Sequence, residues 1–363
     1  MSVDIGIIGL SQSGKTTVFN ALTRSIADTR HSAPNIWVTK IPEPRLNTLT
    51  DIIHPKRVVQ AEAQYIDIGA SVKGMAKDLA ISGELLNSLS QVDALINVSR
   101  AFADDRIPHI EGSVDVERDV AAADLELAFS DLAILERRLQ RLETSLKGAK
   151  PDERQGFLRE QTLLKRLYAE LEKEKPLREL ELTSEEAKAI AGYQFLSAKP
   201  LLIAVNIGEE QLSQAAALET ELRQRYVSPN RDLITICGKL ECELCQLDDS
   251  ESEVFRADLC VGESGADRII KRSFQLLGLI SFFSIASGEI RAWPIARGAS
   301  ALKAAGKIHS DMERGFIRAE VIGYEDLVNC GSLAEARKKG RLRLEGKNYI
   351  VQDGDVITFL FNV

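Results

Sequence analysis

Apolar and polar positions along the chain follow three successive textures. The opening VDIGIIGL is a short run of apolar, largely β-branched residues and predicts a buried strand. Similar runs recur at AQYIDI (63–68), ALINVS (94–99), PLLIAVN (200–206) and DLITIC (232–237). Helical patterns separate most of them. Strands alternating with helices predict a mainly parallel sheet covered on both faces.

A second texture lies between ALINVS and PLLIAVN. From Leu125, apolar residues recur at Leu132, Leu135, Leu139, Leu142 and Leu146, a heptad seam. GAKPDE (148–153) breaks the seam, and Phe157, Leu164, Leu167 and Leu171 resume it. So short a break predicts two antiparallel helices. The first, of about 28 residues, would run roughly 42 Å at 1.5 Å per residue. A two-helix seam needs no third partner, so the hairpin is expected to project from the sheet as an arm. The third texture starts near residue 279. AEVIGYEDL and the alternating YIVQDGDVITFLF predict an α+β unit, with Asp353-Gly354 as a hairpin turn signal.

Composition narrows the function classes. A chain of 363 residues is long enough for two or three domains. Its net charge of -8 excludes a generic polyanion binder, so any nucleic-acid contact must come from a local basic patch. No apolar run approaches the roughly 18 residues of a membrane span. The start MSVDIGIIGLSQ lacks the features of a signal peptide, so a cytoplasmic location is expected, with neither membrane nor DNA as partner. Cys237, Cys242 and Cys245 have the C-x4-C-x2-C spacing of some iron–sulfur ligands, with Cys260 nearby. Reduced thiols packed around a strand and the following helix are the simpler reading.

The candidate chemistry begins at GLSQSGKTT, Gly9 to Thr17, which fits G-x-x-x-x-G-K-[ST] between a predicted strand and a predicted helix. Gly9 and Gly14 let the loop fold closely around phosphate, with backbone N–H groups and the helix N-terminus facing the anion. Lys15, the candidate catalytic side chain, would reach the β- and γ-phosphates, and the Thr16 hydroxyl would ligate Mg²⁺. Asp67 ends its strand where a carboxylate holds Mg²⁺ in this class of site. The base reader is expected beyond a later strand, at AVNIGEE. GTPases usually show N-K-x-D there. Here Asn206 is kept, Ile207 replaces the Lys lid and Glu209 replaces Asp, which should weaken guanine selection.

The N-x-x-E position, together with RAFADD (100–105), LLGLISFF (276–283), EIRAW (289–293), AAGKIHSDMERGFIRAEV (304–321) and EGKNYIVQDGDVITFLFNV (345–363), closely resembles the YchF-type Obg-like ATPases over nearly the whole chain. The resemblance implies an α/β, Ras-like P-loop domain (1–115 and 197–278), a helical coiled-coil hairpin inserted in it (116–196) and a C-terminal ubiquitin-like, β-grasp TGS domain (279–363). It also implies slow hydrolysis of ATP in preference to GTP, Mg²⁺ as cofactor and association with the ribosome. By position it assigns the phosphate loop to Ser11, Gln12, Ser13, Gly14, Lys15, Thr16 and Thr17. It sets Asn206, Ile207 and Glu209 at the adenine, Phe102 near the base, and Cys237 and Gly238 in the loop beside the ring.

The departures from that family cluster at the switches. H-S-A-P-N stands for T-I-E-P-N, with His31 for Thr and Ala33 for Glu, and DIGAS stands for D-I-A-G-L, with Ala70 for Gly and Ser71 following. His31 is a poor substitute for a hydroxyl on Mg²⁺, which favours oxygen. No obvious side chain positions the attacking water, so hydrolysis slower than in the relatives is expected. In the tail, Arg337, Lys338, Lys339, Arg341 and Arg343 crowd together, with Lys347 close by, as a candidate contact to ribosomal RNA. His309 and Asp311 lack a third ligand for a metal site, and a structural role is expected.

Overall fold

The computed structural model describes residues 3–24, 35–67, 86–259, 261–286 and 288–362. These form two compact units: Asp4–Trp37 with Gln64–Ile269, and Val38–Ala63 with Ile270–Val363.

The first unit is built on a six-stranded sheet of β1 (Val3–Gly9), β2 (Asn35–Lys40), β4 (Glu62–Asp67), β5 (Ala94–Arg100), β6 (Leu201–Asn206) and β7 (Arg231–Ile236), in the order β2-β4-β1-β5-β6-β7. β1, β5, β6 and β7 run parallel. β5 and β6 are buried at every position, as strands covered on both faces must be. Hence β6 reads in the sequence as an apolar run up to Asn206, and β5 as a mainly apolar one broken by the buried Asn97, Ser99 and Arg100. Helices Lys15–Thr23, Ala215–Tyr226 and Gly238–Leu244 follow the ends of β1, β6 and β7.

The hairpin consists of helices Val116–Gly148 and Pro151–Leu171 joined by two residues. The first helix has 33 residues, about 50 Å at the helical rise, longer than the predicted 28 because the apolar period starts at Val120. It serves two cores. Val120, Ala123 and Leu127 pack with Leu201, Ile203 and Val205 of the sheet. Ala128, Leu135 and Leu142 pack instead with Leu164, Leu167 and Leu171 of the partner helix. That handover is what an arm leaving the sheet requires. At the root, Asp131 accepts hydrogen bonds from the N–H groups of Leu196 and Ser197 at 2.8 Å each and from the Ser197 hydroxyl. Burial nevertheless pushes its carboxyl up to about 6.

The second unit carries a mixed sheet that adds β3 (Arg57–Val59), β8 (Leu279–Ala286), β9 (Glu289–Ala296), β10 (Phe316–Gly323), β11 (Arg343–Glu345) and β12 (Asp355–Phe361), in the order β11-β10-β12-β8-β9-β3. Helix Ala301–Ile308 presents Ala301, Ala304 and Ala305 to Phe282, Val321 and Ile357, and these small residues let it sit close to the sheet. A mixed sheet gripping one helix is the β-grasp arrangement.

Two sequence expectations change. Residues 38–63, assigned from the sequence to the nucleotide domain, form a compact unit with the C-terminal segment, because β3 pairs parallel with β9. The Asp353-Gly354 turn forms but joins no hairpin. Tyr349–Val351 makes only an isolated bridge, Ile350 to Ser300, while Gly354 donates to the Ser281 carbonyl and Asp353 accepts from the Ser281 N–H.

Candidate nucleotide site

The loop between β1 and helix Lys15–Thr23 has a backbone that side chains would disturb. Gly9 has φ 151°, and a Cβ there would lie 2.4 Å from the Val98 carbonyl oxygen. Gly14 has φ 91°, and its Cβ would lie 2.2 Å from Asn206 Nδ2. Gln12 adopts φ 63° without glycine's freedom, so the loop stores strain at its crown. Ser13 is buried, and its Oγ has no partner among the described residues.

Lys15 is 7 % exposed and bends back over the loop, with Nζ donating to the carbonyls of Leu10 at 2.9 Å and Gly9 at 3.2 Å. Burial lowers its pKa, opposed by the charge of Asp67. The Thr16 hydroxyl donates to Asp67 Oδ2 at 3.0 Å, so the two predicted metal oxygens converge. Asp67 Oδ1 is buried with no hydrogen-bond partner among the described residues. Burial pushes the Asp67 carboxyl up, against the Thr16 hydrogen bond and the Lys15 charge. A hard cation beside these oxygens would satisfy Oδ1 and favour the ionised form, so the residues fit Mg²⁺.

Asn206 ends β6 and joins two loops. Its Nδ2 donates to the Ser13 carbonyl, and its Oδ1 accepts from the Gly238 N–H, each at 3.0 Å. Ile207 and Cys237, predicted to line the adenine, are 2 % and 5 % exposed and belong to the sheet core. Ile207 therefore packs in the core at the position where GTPases carry the Lys lid. Glu209 remains at the surface, where Lys239 Nζ pairs with it at 2.8 Å. Nothing in the sequence marks this pairing, which only the fold reveals. Nor does the sequence single out Arg100, whose guanidinium lies 4.4 Å over the Phe102 ring. The available signal was an Arg closing a strand that is buried at every position. Thr17 is half-buried on the helix, Ser11 is half-buried and Gln12 is exposed.

His31, Ala33, Gly69, Ala70, Ser71 and Cys260 lie outside the described residues. Cys237 caps helix Gly238–Leu244 from the core, whereas Cys242 and Cys245 lie half-buried near its far end. Among the described residues no three His, Cys, Asp or Glu side chains are grouped to hold a metal. His309 caps helix Ser310–Arg314, its Nδ1 accepting from the Asp311 N–H.

The basic tail is more neutral than its sequence suggests. Arg337 pairs with Glu320, Lys338 with Glu335, Arg341 with Asp326 and Arg343 with Glu345. All four acids stand outside the basic run at 337–343. These exposed pairs are weak, but they cancel much of the local positive field.

Comparison with known proteins extends the site to the whole chain. A model for the C-terminal region of YchF GTPases, described as a protein of unknown function (DUF933), matches residues 279–362. The ribosome-binding ATPase YchF of Bacillus subtilis is 39% identical over 370 residues, covering 100% of both chains. That of Haemophilus ducreyi is 37% identical over 368 residues, again with full coverage. The structure of the Schizosaccharomyces pombe YchF GTPase superposes with a TM-score of 0.85 at 27% identity, covering 99% of this chain and 98% of that one. No helix among the described residues is long and apolar enough to cross a membrane. A phosphate loop opening the sheet, a hairpin inserted within it and a β-grasp tail, matched end to end at these identities, make this chain a member of the YchF family.

Proposed function

We propose that the protein binds a purine nucleoside triphosphate with Mg²⁺, prefers ATP to GTP, hydrolyses it slowly and acts as a nucleotide-dependent switch on the ribosome in the cytoplasm. The convergence of Lys15, Thr16 and the half-satisfied Asp67 at one loop carries this reading. Relatives matched over their full length are named as ribosome-binding ATPases, which supports both properties for this chain. In catalysis, the loop N–H groups and Lys15 would hold the β- and γ-phosphates, while Thr16 and Asp67 would hold the metal. The metal would supply charge neutralisation on the phosphate oxygens. Lys15 is withdrawn onto the Leu10 and Gly9 carbonyls, and swinging Nζ from them to phosphate would exchange neutral acceptors for a charged one.

Base choice would follow from Asn206 and Glu209. Paired with Lys239, Glu209 is a weaker acceptor for the guanine N–H groups than a free carboxylate. His31, Ala70 and Ser71 in place of the family's switch residues favour slow turnover, and in the limit a nucleotide-sensing module without hydrolysis. Calorimetric titration of ATP and GTP, with and without Mg²⁺, followed by single-turnover hydrolysis, tests the proposal. Lys15→Ala should abolish binding. No heat with either nucleotide would refute the reading. Turnover at or above that of the Bacillus subtilis relative would refute the argument from the switches.

A further inference from the structure

Arg100 closes β5 and stands opposite Asn206 in the sheet register. It is 1 % exposed and heads the fully buried side chains by volume. Its hydrogen bonds go to backbone carbonyls of the next loop, Phe102 at 3.0 Å and Asp104 at 3.5 Å. Its Nη1 has no partner among the described residues. Burying a cation on such terms is costly, and an apolar side chain would fill a strand position with less penalty. What Arg100 does instead is fix the loop after β5. The guanidinium carbon lies over the Phe102 ring, 4.4 Å from its centroid.

The same loop is also held from the base-reading side. The Ala101 N–H donates to the Asn206 carbonyl at 2.8 Å, and Gln211 Nε2 donates to the Ala101 carbonyl at 3.1 Å. Gln211 Oε1 in turn accepts from the Gly208 N–H at 2.8 Å. Phe102 is thus a half-buried plate at the carboxyl edge of the sheet, one face taken by Arg100, next to the strand end that carries Asn206 and Glu209. In open α/β sheets that edge is where ligands bind.

We infer that Arg100 is a positioning residue for the nucleotide base: it holds Phe102 so that the ring's other face stacks on the purine. The inference rests on the purine-site reading above. Unlike that reading, it predicts a defect confined to the base. Full-length wild type, Arg100→Lys, Phe102→Leu and the double variant are titrated with Mg-ATP and with inorganic tripolyphosphate and Mg²⁺. Arg100→Lys keeps the charge but loses the planar fork and stack.

Each single variant should bind ATP about fivefold to a hundredfold more weakly, the range of one base–aromatic stack. Tripolyphosphate affinity should not change, and the double variant should be no weaker than the weaker single one. Unchanged ATP affinity in Arg100→Lys, equal losses for both ligands, or additive losses would overturn the assignment. If Arg100→Lys does not fold, Phe102→Leu decides alone, and wild-type ATP affinity in it overturns the assignment. A wild type that binds tripolyphosphate as tightly as ATP would sink the purine reading itself, and the inference with it.

Discussion

Asn206→Ala tests whether the phosphate loop and the base-side loop are one unit. Asn206 is 4 % exposed, and both its amide atoms are used across the gap between the loops. Each neutral hydrogen bond contributes about 0.5–1.5 kcal/mol net, and a buried group left unpaired costs about 1–3 kcal/mol. Alanine removes two bonds and strands the Ser13 carbonyl and the Gly238 N–H. Water entering the vacated space would satisfy part of that, so the expected loss is about 2–4 kcal/mol of folding stability without nucleotide. Urea unfolding of both proteins measures it, and the denaturant slope should stay constant, since the fold does not change. The untethered loops must also be reordered on binding, which weakens nucleotide affinity beyond any lost contact to the base. Asn206→Asp is the informative companion. It keeps the acceptor for Gly238 but sets a carboxylate against the Ser13 carbonyl, so it should disturb the phosphate loop more than the base-side loop. A loss under about 0.5 kcal/mol in Asn206→Ala, with unchanged affinity, would refute the coupling.

Four further outcomes follow from the structure. Asp67→Ala should remove the Mg²⁺ dependence of nucleotide affinity while leaving metal-free binding largely intact, as read by titration with and without chelator. With its pKa raised by burial, Asp67 takes up a proton at higher pH than an ordinary carboxylate, so Mg-dependent binding in wild type should weaken on acidification before pH 4 is reached. At Asp131 the folded carboxyl, near 6, binds a proton more readily than the unfolded one at 3.8; this group's contribution to stability is therefore full below pH 4 and falls by roughly 3 kcal/mol as pH rises through 6, a component of the pH slope that urea titrations should find missing in Asp131→Asn. Replacing Arg337, Lys338 and Arg341 with Glu should weaken ribosome co-sedimentation at low salt with only a shallow salt dependence, because each cation already has an acid beside it; a steep dependence would show that these cations meet phosphates without competition from those acids.

What the sequence discloses depends on whether the physics is local. The phosphate loop is legible because Gly9 and Gly14 are required by backbone geometry within one turn, and the buried strands because both faces are covered. The hairpin is legible from its leucine seam, although Val120, Ala123 and Leu127 belong to the sheet core and only the structure shows the handover. β2 and β3 escaped notice because they are edge strands, too exposed or too short to show a buried pattern. β2 leaves Ile36, Trp37 and Val38 exposed, and β3 has three residues. Ile207 reads in the sequence only as the loss of the Lys lid; that its side chain follows β6 into the core is visible in the structure alone.

Charge was least legible, since the sign of a residue says nothing about its neighbour. The basic run at 337–343 reads as a cationic patch until Glu320 and Asp326 are seen beside it, brought there from β10 and from helix Tyr324–Cys330. Glu209 reads as a free carboxylate until the loop after β7 delivers Lys239. Arg100 is the reverse case, a cation whose sequence context offers Asp104 and Asp105 but whose guanidinium turns to backbone carbonyls and an aromatic face. In all three, folding assigns the charge a partner between two and thirty residues away, and the function of the residue follows from that partner rather than from its own sign.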